Sequence, residues 1–393
     1  MTYGKSLLSL WPLDPAAIYL NHGTVGVVPI RVAEAQQAWR ERIERHPARF
    51  LLRELRRAAD TGGPSPLRGA AADVAAFVGA RADDLVFVDN TTAGVNAVLR
   101  SLTFGPDDEI LVTDHLYGGL LAAVRYTARR SGVRVRVAEM PYPEFDAGAA
   151  VERIAAALTP QTRLAIVEHI AAESGLVFPV DRIVNTCRTA GVPVLVDGAH
   201  VPGQLALDIS AIGADYYVAN LHKWAMAPRS CGILVALPDR QADLHPPVVS
   251  WDLDAGFTRE FDWMGTRDVT PWLTAPEGLR FLQALDYDGL RRYNHDLAWH
   301  AAQYLAGLWN TPLGFEEPAV GCMVSVMTPA AIGMTKDEAT RLRDWLLFER
   351  EIEVQAHARA GRVWVRVAAQ AYNERGDLEV LGRAVQEFAR EAT

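Results

Sequence analysis

The alternation of short β-branched runs with amphipathic helical stretches, from about residue 68 to residue 240, constrains the fold of this chain most strongly. Helical stretches such as Gly118–Arg130 and Val180–Ala190 separate most of the runs. This βα alternation predicts a mostly parallel sheet with helices on both faces, an α/β fold. The predicted strands are Leu85–Val88, Glu109–Thr113, Val133–Ala138, Arg163–Glu168, Pro193–Val196, Tyr216–Ala219 and Cys231–Ala236.

The pattern changes after the alternating region. Residues 276–310 read as a long helical connection, and the remainder mixes strands with helices, as in a smaller α+β domain. We therefore predict an N-terminal arm over 1–30, a large domain over 31–275, and a connecting helix with a small C-terminal domain over 276–393. The predicted C-terminal strands are Met323–Met327, Glu353–Ala356 and Val363–Val367, and the predicted helices are Lys336–Arg350 and Leu378–Arg390.

Composition excludes several classes of protein. A net charge of −9 leaves no basic surplus to neutralise phosphates, which argues against nucleic-acid binding. Cys187, Cys231 and Cys322 are isolated in sequence, so neither a zinc site nor a disulfide framework is expected. No apolar run approaches the ~20 residues of a membrane-spanning helix, and no secretory leader is visible. A cytoplasmic enzyme without a metal is the expectation.

The most informative segments are Val194-Leu-Val-Asp-Gly-Ala-His200 and Ala219-Asn-Leu-His-Lys-Trp224. Asp197 ends the strand in the first segment, and Lys223 follows shortly after the end of the predicted strand Tyr216–Ala219. Parallel sheets bind ligands beyond the carboxyl ends of their strands. Asp197 and Lys223 are thus offered to one crevice. A lysine that forms a covalent link and a carboxylate that keeps a pyridine nitrogen protonated are what pyridoxal phosphate (PLP) requires.

These segments resemble the class V aminotransferases among the fold-type I PLP enzymes. The chain looks most like the branch that contains isopenicillin N epimerase and related C–S lyases. The opening Tyr19-Leu-Asn-His-Gly-Thr-Val-Gly26 and the segment His46-Pro-Ala-Arg-Phe50 are similar to that branch as well. The resemblance implies a mostly parallel central sheet in a large domain, a smaller α+β C-terminal domain, and a homodimer with shared active sites.

The resemblance also implies roles for individual residues around the cofactor. Lys223 would bind PLP covalently, Asp197 would pair with the pyridine nitrogen, and His200 would hydrogen-bond the phenolic oxygen. Either His115 or Tyr117 would cover the face of the ring, and the sequence leaves this choice open.

The phosphate of the cofactor has its own predicted ligands. Asp-Asn-Thr-Thr-Ala-Gly, residues 89–94, follows a predicted strand and opens a helix, whose free N–H groups and dipole suit an anion. The segment resembles the family's phosphate loop and gives Thr91 and Thr92 as ligands, with Asn220 and His222 completing the cup. Gly265-Thr-Arg267 resembles the segment that reaches the phosphate of a second subunit, so Thr266 is the basis for expecting a dimer.

An amino-acid substrate would bind on the other side of the cofactor. Arg366 matches the family's arginine for the substrate α-carboxylate, which a planar guanidinium pairs in a bidentate way. Asn21 and His22 in the N-terminal segment are further substrate-binding candidates. Two positions depart from the family pattern: Ala368 replaces a serine beside the arginine, and Ala172 replaces an Asn or Ser near the ring.

The sequence does not decide which reaction follows. Lys223, once displaced by substrate, would take the Cα proton, and the outcome would be epimerisation, β-elimination by a C–S lyase, or, as the alternative, transamination. An epimerase needs a second acid/base, for which Tyr117, His22 and His115 are candidates. A cysteine desulfurase is less favoured because it needs a mobile cysteine, whereas Cys322 lies in an apolar strand-like run. The substrate side chain is not predicted.

Overall fold

The computed structural model describes residues 2–57 and 64–391. It has three sheets and a set of helices around them. The strands are β1 Ile18–Tyr19, β2 Leu85–Val88, β3 Glu109–Thr113, β4 Arg134–Ala138, β5 Thr162–Glu168, β6 Val194–Asp197, β7 Tyr216–Asn220, β8 Gly232–Ala236, β9 Met323–Met327, β10 Ile352–Glu353, β11 Gln355–Arg359 and β12 Arg362–Ala368.

The α-helices lie mostly between these strands along the chain. They are α1 His22–Val25, α2 Ile30–Arg45, α3 Pro47–Arg49, α4 Pro66–Val78, α5 Thr91–Ser101, α6 Gly118–Ser131, α7 Ala147–Ala157, α8 Val180–Thr189, α9 Ile209–Ile212, α10 Phe257–Asp262, α11 Thr270–Ala284, α12 Tyr287–Trp309, α13 Lys336–Arg350 and α14 Arg375–Glu391. No helix in the described part of the chain is long and apolar enough to cross a membrane.

The large sheet has seven strands in the order β2-β8-β7-β6-β5-β3-β4. Strand β8 runs antiparallel to both neighbours, and the remaining pairs are parallel, which confirms the predicted mostly parallel sheet. Strands β2, β3, β6, β7 and β8 are buried along their whole length because separate apolar clusters cover the two faces. The carboxyl ends of β2, β3, β5, β6 and β7 therefore meet at one edge.

The helical connection near residue 276 differs from the prediction. It consists of α11 and α12 rather than one helix, and α11 begins six residues earlier than predicted, at Thr270. Asp286 separates the two helices in a left-handed conformation (φ 56°), and its side chain accepts a hydrogen bond from the backbone N–H of Gly289 at the start of α12. The prediction of one helix was therefore wrong, because Asp286 caps the start of a second helix within a continuous apolar periodic pattern.

The N-terminal segment joins the C-terminal part of the chain. Strand β1 pairs in parallel with β10, and Asn21 forms a β-bridge to Ala368 at the end of β12. The small sheet has the order β11-β12-β9 and packs against α12 and α13. These pairings place residues 21–26 beside both Arg366 and the loop after β7. The domain limits themselves remain a prediction.

Candidate active site

A cavity of about 590 Å³ lies at the edge where the strands of the large sheet end. The loops after β2, β3, β5, β6 and β7 contribute to it, together with the N-terminal segment and the small sheet. It is lined by Gly23, Thr24, Asn90, Thr91, Thr92, Tyr117, Gly118, Gly119, Ala172, Glu173, Asp197, Ala199, His200, Asn220, His222, Lys223, Gln355 and Arg366. Most of the residues predicted from the sequence thus meet in one place.

The start of α5 forms one end of the cavity. Asn90 caps the helix by accepting a hydrogen bond from the backbone N–H of Ala93 (2.9 Å). Asn220, at the end of β7, accepts from the backbone N–H of Thr91 (3.0 Å) and donates to the Thr91 hydroxyl (3.3 Å). Thr92 also lines the cavity at this end. A helix start with threonine hydroxyls is suited to an anionic group such as a phosphate.

Lys223 lies in the middle of the cavity, against His200. The Nζ atom of Lys223 is 3.0 Å from Nε2 of His200; His200 is buried and Lys223 is partly buried. Asp197, at the end of β6, accepts a hydrogen bond at Oδ1 from the backbone N–H of Ala199 (2.9 Å). Gly26 helps to hold the lysine loop: its φ of 68° is left-handed, and the His222 carbonyl occupies the space that a side chain at residue 26 would need.

Burial shifts the proton equilibria of all three groups. It lowers the pKa of Lys223, and the positive charge of Arg366 lowers that pKa further, while Asp197 opposes the change. Burial likewise raises the pKa of Asp197 and lowers the pKa of His200 well below its usual range. A lysine amine that loses its proton more readily than an exposed lysine is suited to act as a nucleophile and as a base.

Glu168 is a buried carboxyl group beside Asp197 that was not predicted from the sequence. It pairs in register with Asp197 on the neighbouring strand, and its Oε2 accepts a hydrogen bond from the Thr113 hydroxyl (2.6 Å). Burial raises the pKa of Glu168 to about 8, so the group stays protonated at neutral pH. In its neutral form, Glu168 places no negative charge beside Asp197. Glu168 ends a strand just as Asp197 does, which is the signal that could have identified it.

Arg366 is buried and lines the same cavity, where the N-terminal segment supports it. Its guanidinium donates to the Thr24 hydroxyl (2.7 Å), to Oδ1 of Asn21 (3.3 Å) and to the Ala172 carbonyl. Within the described residues no carboxylate lies in salt-bridge distance of it. Neutral groups thus support the arginine, although Ala368 replaces the serine of the family pattern. Thr24 was not predicted, although it lies within the Tyr19–Gly26 motif.

Several predicted residues lie outside the lining of the cavity. His22 is buried behind the lysine loop, where one ring nitrogen contacts the Tyr372 hydroxyl (3.0 Å) and the other the Lys223 carbonyl (3.1 Å). Asn21 is also outside the lining and contacts two residues of the cavity wall, Arg366 and Thr24, whose hydroxyl donates to Oδ1 of Asn21 (2.5 Å). In this arrangement His22 does not reach the cavity to contact a substrate. Its contacts fit better with a role in positioning the loop that carries Lys223.

The two candidates for covering the ring occupy different environments. Tyr117 lines the cavity and is about half exposed. His115 is buried next to it, with Nδ1 3.0 Å from the Ser174 hydroxyl and its ring edge-on to Phe178. The geometry therefore favours Tyr117, and the identity of the residue that stacks on the ring stays a prediction.

Thr266 lies on the surface, outside the cavity of its own chain. The neighbouring Arg267 forms an ion pair with Asp89 and lies over the ring of Trp272, 4.4 Å from its centroid. These contacts fix the segment close to the start of α5 while leaving Thr266 exposed. Its predicted contact with the phosphate of a second subunit is untested by a single chain.

Comparisons with known proteins identify the family. The sequence model described as Aminotransferase class-V matches residues 64–360. The chain belongs to the class V aminotransferase family. It is 30% identical to a probable chloroplastic L-cysteine desulfhydrase of Arabidopsis thaliana, over 96% of this chain and 84% of that protein. It is 32% identical to the isopenicillin N epimerase of Amycolatopsis lactamdurans, over 96% of each chain.

A solved structure confirms the PLP-dependent fold type I architecture. C-DES, in a variant with glycine covalently linked to the PLP cofactor, matches this class V chain with a TM-score of 0.78. The two are 23% identical, over 94% of this chain and 96% of C-DES. The resemblance inferred from the sequence motifs, to the epimerase and C–S lyase branch of the family, is thus confirmed.

Pyridoxal phosphate is the cofactor of this class V enzyme, and the cavity fits it. The start of α5 suits the phosphate, and the buried Asp197 suits a protonated pyridine nitrogen. The sequence contains three lysines; Lys5 and Lys336 are exposed on the surface, and Lys223 lines the cavity. The predicted covalent link of Lys223 to PLP fits this placement and stays a prediction.

Proposed function

We propose that this enzyme removes the Cα proton of an amino acid with Lys223 and then expels a substituent from Cβ, as a C–S lyase does. The observation that carries the proposal is that one cavity is lined by both Lys223 and Arg366, and that the Arg366 guanidinium forms no salt bridge with a described carboxylate. One residue is placed to move a proton and the other to bind a carboxylate. The desulfhydrase relative is consistent with this chemistry.

Each residue has a defined task in this proposal. PLP, when bound, draws electron density away from Cα and so weakens the bonds at that carbon. Arg366 holds the α-carboxylate and fixes the orientation of the Cα–H bond relative to Lys223. The Lys223 amine takes the Cα proton and then delivers it to the leaving sulfur as the Cβ–S bond breaks. Asp197 holds the proton on the ring nitrogen throughout.

Epimerisation is the second candidate, because the isopenicillin N epimerase relative is as similar as the desulfhydrase. It needs an acid on the face opposite Lys223. Of the three candidates named from the sequence, Tyr117 lines the cavity, while His22 and His115 are enclosed behind its wall. Elimination needs no such second group, which is why we place it first.

A cysteine desulfurase is disfavoured for a separate reason. Such an enzyme needs a reactive thiol, and Cys187, Cys231 and Cys322 are all buried. Burial raises the pKa of Cys322 to about 12, so its thiol stays protonated and a poor nucleophile.

Product analysis separates these reactions. We expect the purified holoenzyme to release a 2-keto acid and ammonia from an L-cysteine S-conjugate without any added keto acid. The measurement is the keto acid formed, together with chiral chromatography of the remaining substrate. Inversion at Cα without a keto acid would replace elimination by epimerisation, and an absolute requirement for an added keto acid would identify an aminotransferase.

We further propose that the enzyme is a homodimer in which Thr266 completes the phosphate site of its partner. An exposed apolar stretch precedes this segment, comprising Val248, Val249, Leu253 and Trp251, whose side chain is 82% exposed. Several large exposed apolar side chains in one short stretch are typical of an interface. In an isologous dimer the same segment would serve both sites.

Thr266→Ala is expected to weaken retention of PLP more than it changes the thermal stability of the apo-protein. The reason is linkage: if PLP binds the dimer better than the monomer, cofactor and assembly stabilise each other. The PLP content after dialysis and the melting temperature of the apo-protein measure the two effects, and sedimentation of the holo- and apo-protein over a dilution series measures dimer dissociation. Thr103→Ala, which changes another exposed threonine, is the matched control. A holoenzyme that is monomeric and fully active at every concentration would contradict the dimer proposal.

A further inference from the structure

The turn after β5 presents a carboxylate to the cavity that the reaction itself does not use. Glu173 lines the cavity together with Arg366, and its side chain makes no hydrogen bond or ion pair with any described residue. An exposed glutamate is usually only a solvated surface charge. Glu173 differs because the backbone of its turn is fixed to the small sheet.

Three successive carbonyl groups fix the turn to the small sheet. Arg366 donates to the carbonyl of Ala172, the Ser325 hydroxyl donates to the carbonyl of Glu173 (2.6 Å), and the Ser325 backbone N–H donates to the carbonyl of Ser174 (3.2 Å). Ser325 and Arg366 are themselves register partners on β9 and β12. The backbone carrying Glu173 is thus held rigidly relative to the arginine proposed to bind the substrate carboxylate.

Polar and apolar groups both line the rest of the cavity. Gln355, the register partner of Arg366 on β11, lines it, and so do Ala172, Tyr117 and the glycines at 118 and 119. Glu173 is the one carboxylate of this lining besides Asp197, and its charge acts on Arg366. Once a substrate carboxylate binds Arg366, a cationic side chain would be the matching partner for Glu173. Because the backbone of the turn is fixed, binding a cation would require ordering of the Glu173 side chain alone.

We infer that Glu173 is a specificity-determining residue that selects amino-acid substrates whose side chain ends in a positively charged group, with the α-carboxylate at Arg366 and the distal cation at Glu173. This inference rests on the proposed function, since it assumes that the α-carboxylate binds Arg366. It assigns the substrate side chain, which neither the family nor the catalytic residues determine.

The test compares two ligands of equal length without a leaving group, L-ornithine and L-norleucine, which differ by a terminal ammonium against a methyl group. We expect the holoenzyme to bind ornithine about five times more tightly than norleucine, the size of effect typical of a partly solvated ion pair. In Glu173→Gln the ratio of the two dissociation constants should fall to about one. Calorimetry and the absorbance of the cofactor both report these constants, and added salt should reduce the ratio only when Glu173 is present.

Glu152→Gln serves as the control, because Glu152 is an exposed glutamate on α7 outside the cavity and its removal changes the net charge equally. That variant should keep the ornithine preference. Equal binding of the two ligands by the unmodified enzyme, or a preference that survives in Glu173→Gln, would overturn the inference while leaving the proposed function intact. If neither amino acid binds an enzyme loaded with PLP, the proposed function fails as well.

Discussion

Replacing Lys223 with alanine is expected to abolish the covalent link to PLP and to reduce turnover on the order of 10²–10⁴-fold, the usual contribution of a positioned general base. The reduction has two causes, because Lys223 is proposed both to bind the cofactor and to take the Cα proton. The start of α5, Asn220 and Asp197 remain, so free PLP should still bind. Borohydride reduction followed by peptide mapping gives a direct measurement.

The composition of the chain makes that measurement decisive. The chain has three lysines, Lys5, Lys223 and Lys336, and the two exposed lysines serve as internal controls. Label on Lys223 alone in the unmodified enzyme, and no label at any lysine in Lys223→Ala, is the expected pattern. Label on Lys5 or Lys336 after reduction of the native holoenzyme would overturn the site assignment.

The pH dependence of loading follows from the same residue. Burial and Arg366 lower the pKa of Lys223, and the neutral amine is the reactive form. The neutral form is present above the lowered pKa and is lost as the pH falls through it. Covalent loading of the apo-protein should therefore remain fast at pH values where an exposed lysine, with its higher pKa, is almost fully protonated.

Residues that follow strands were the easiest to predict from the sequence. Asp197 and Lys223 were recognised because a parallel sheet brings the ends of its strands to one edge, so local patterns were enough to place both in a common crevice. The predicted limits of β2, β3 and β9 agree with the structure for the same reason, since each is a short apolar run between polar turns.

Contacts between distant segments were not predictable in this way. Thr24 and Asn21 meet Arg366 across more than 300 residues of chain, and only the pairing of β1 with β10 and the bridge from Asn21 to Ala368 bring them together. No periodicity reports such a pairing. The environment of His22 was missed for a related reason, because a motif indicates which residue type is present but not which way its ring faces.

Glu173 illustrates a different limit. The resemblance marked Ala172 as a departure from the expected family pattern. Nothing in the sequence indicated a role for the neighbouring Glu173. Its significance depends on three carbonyl groups held by Arg366 and Ser325, which become visible only when the turn after β5 is seen against the small sheet.

Asp197→Asn is expected to lower turnover by at least ~10²-fold while PLP remains bound, an effect typical of removing one electrostatic catalytic group. Asn is nearly the same size, and it can still accept the hydrogen bond from the backbone N–H of Ala199. It carries no negative charge to stabilise a proton on the ring nitrogen. Burial also raises the pKa of the neighbouring Glu168, which favours its neutral form and so its inability to supply that charge. Proton removal from Cα should therefore slow.

The exchange of the substrate Cα proton for deuterium, followed by nuclear magnetic resonance, isolates that step from product release. Asp243→Asn, which removes an exposed carboxylate outside the cavity, controls for the change in net charge and should exchange at the native rate. Retained borohydride labelling of Lys223 in Asp197→Asn would show that the cofactor is still in place. If that variant exchanges the Cα proton as fast as the unmodified enzyme, another group must hold the ring nitrogen, and the role assigned to Asp197 is wrong.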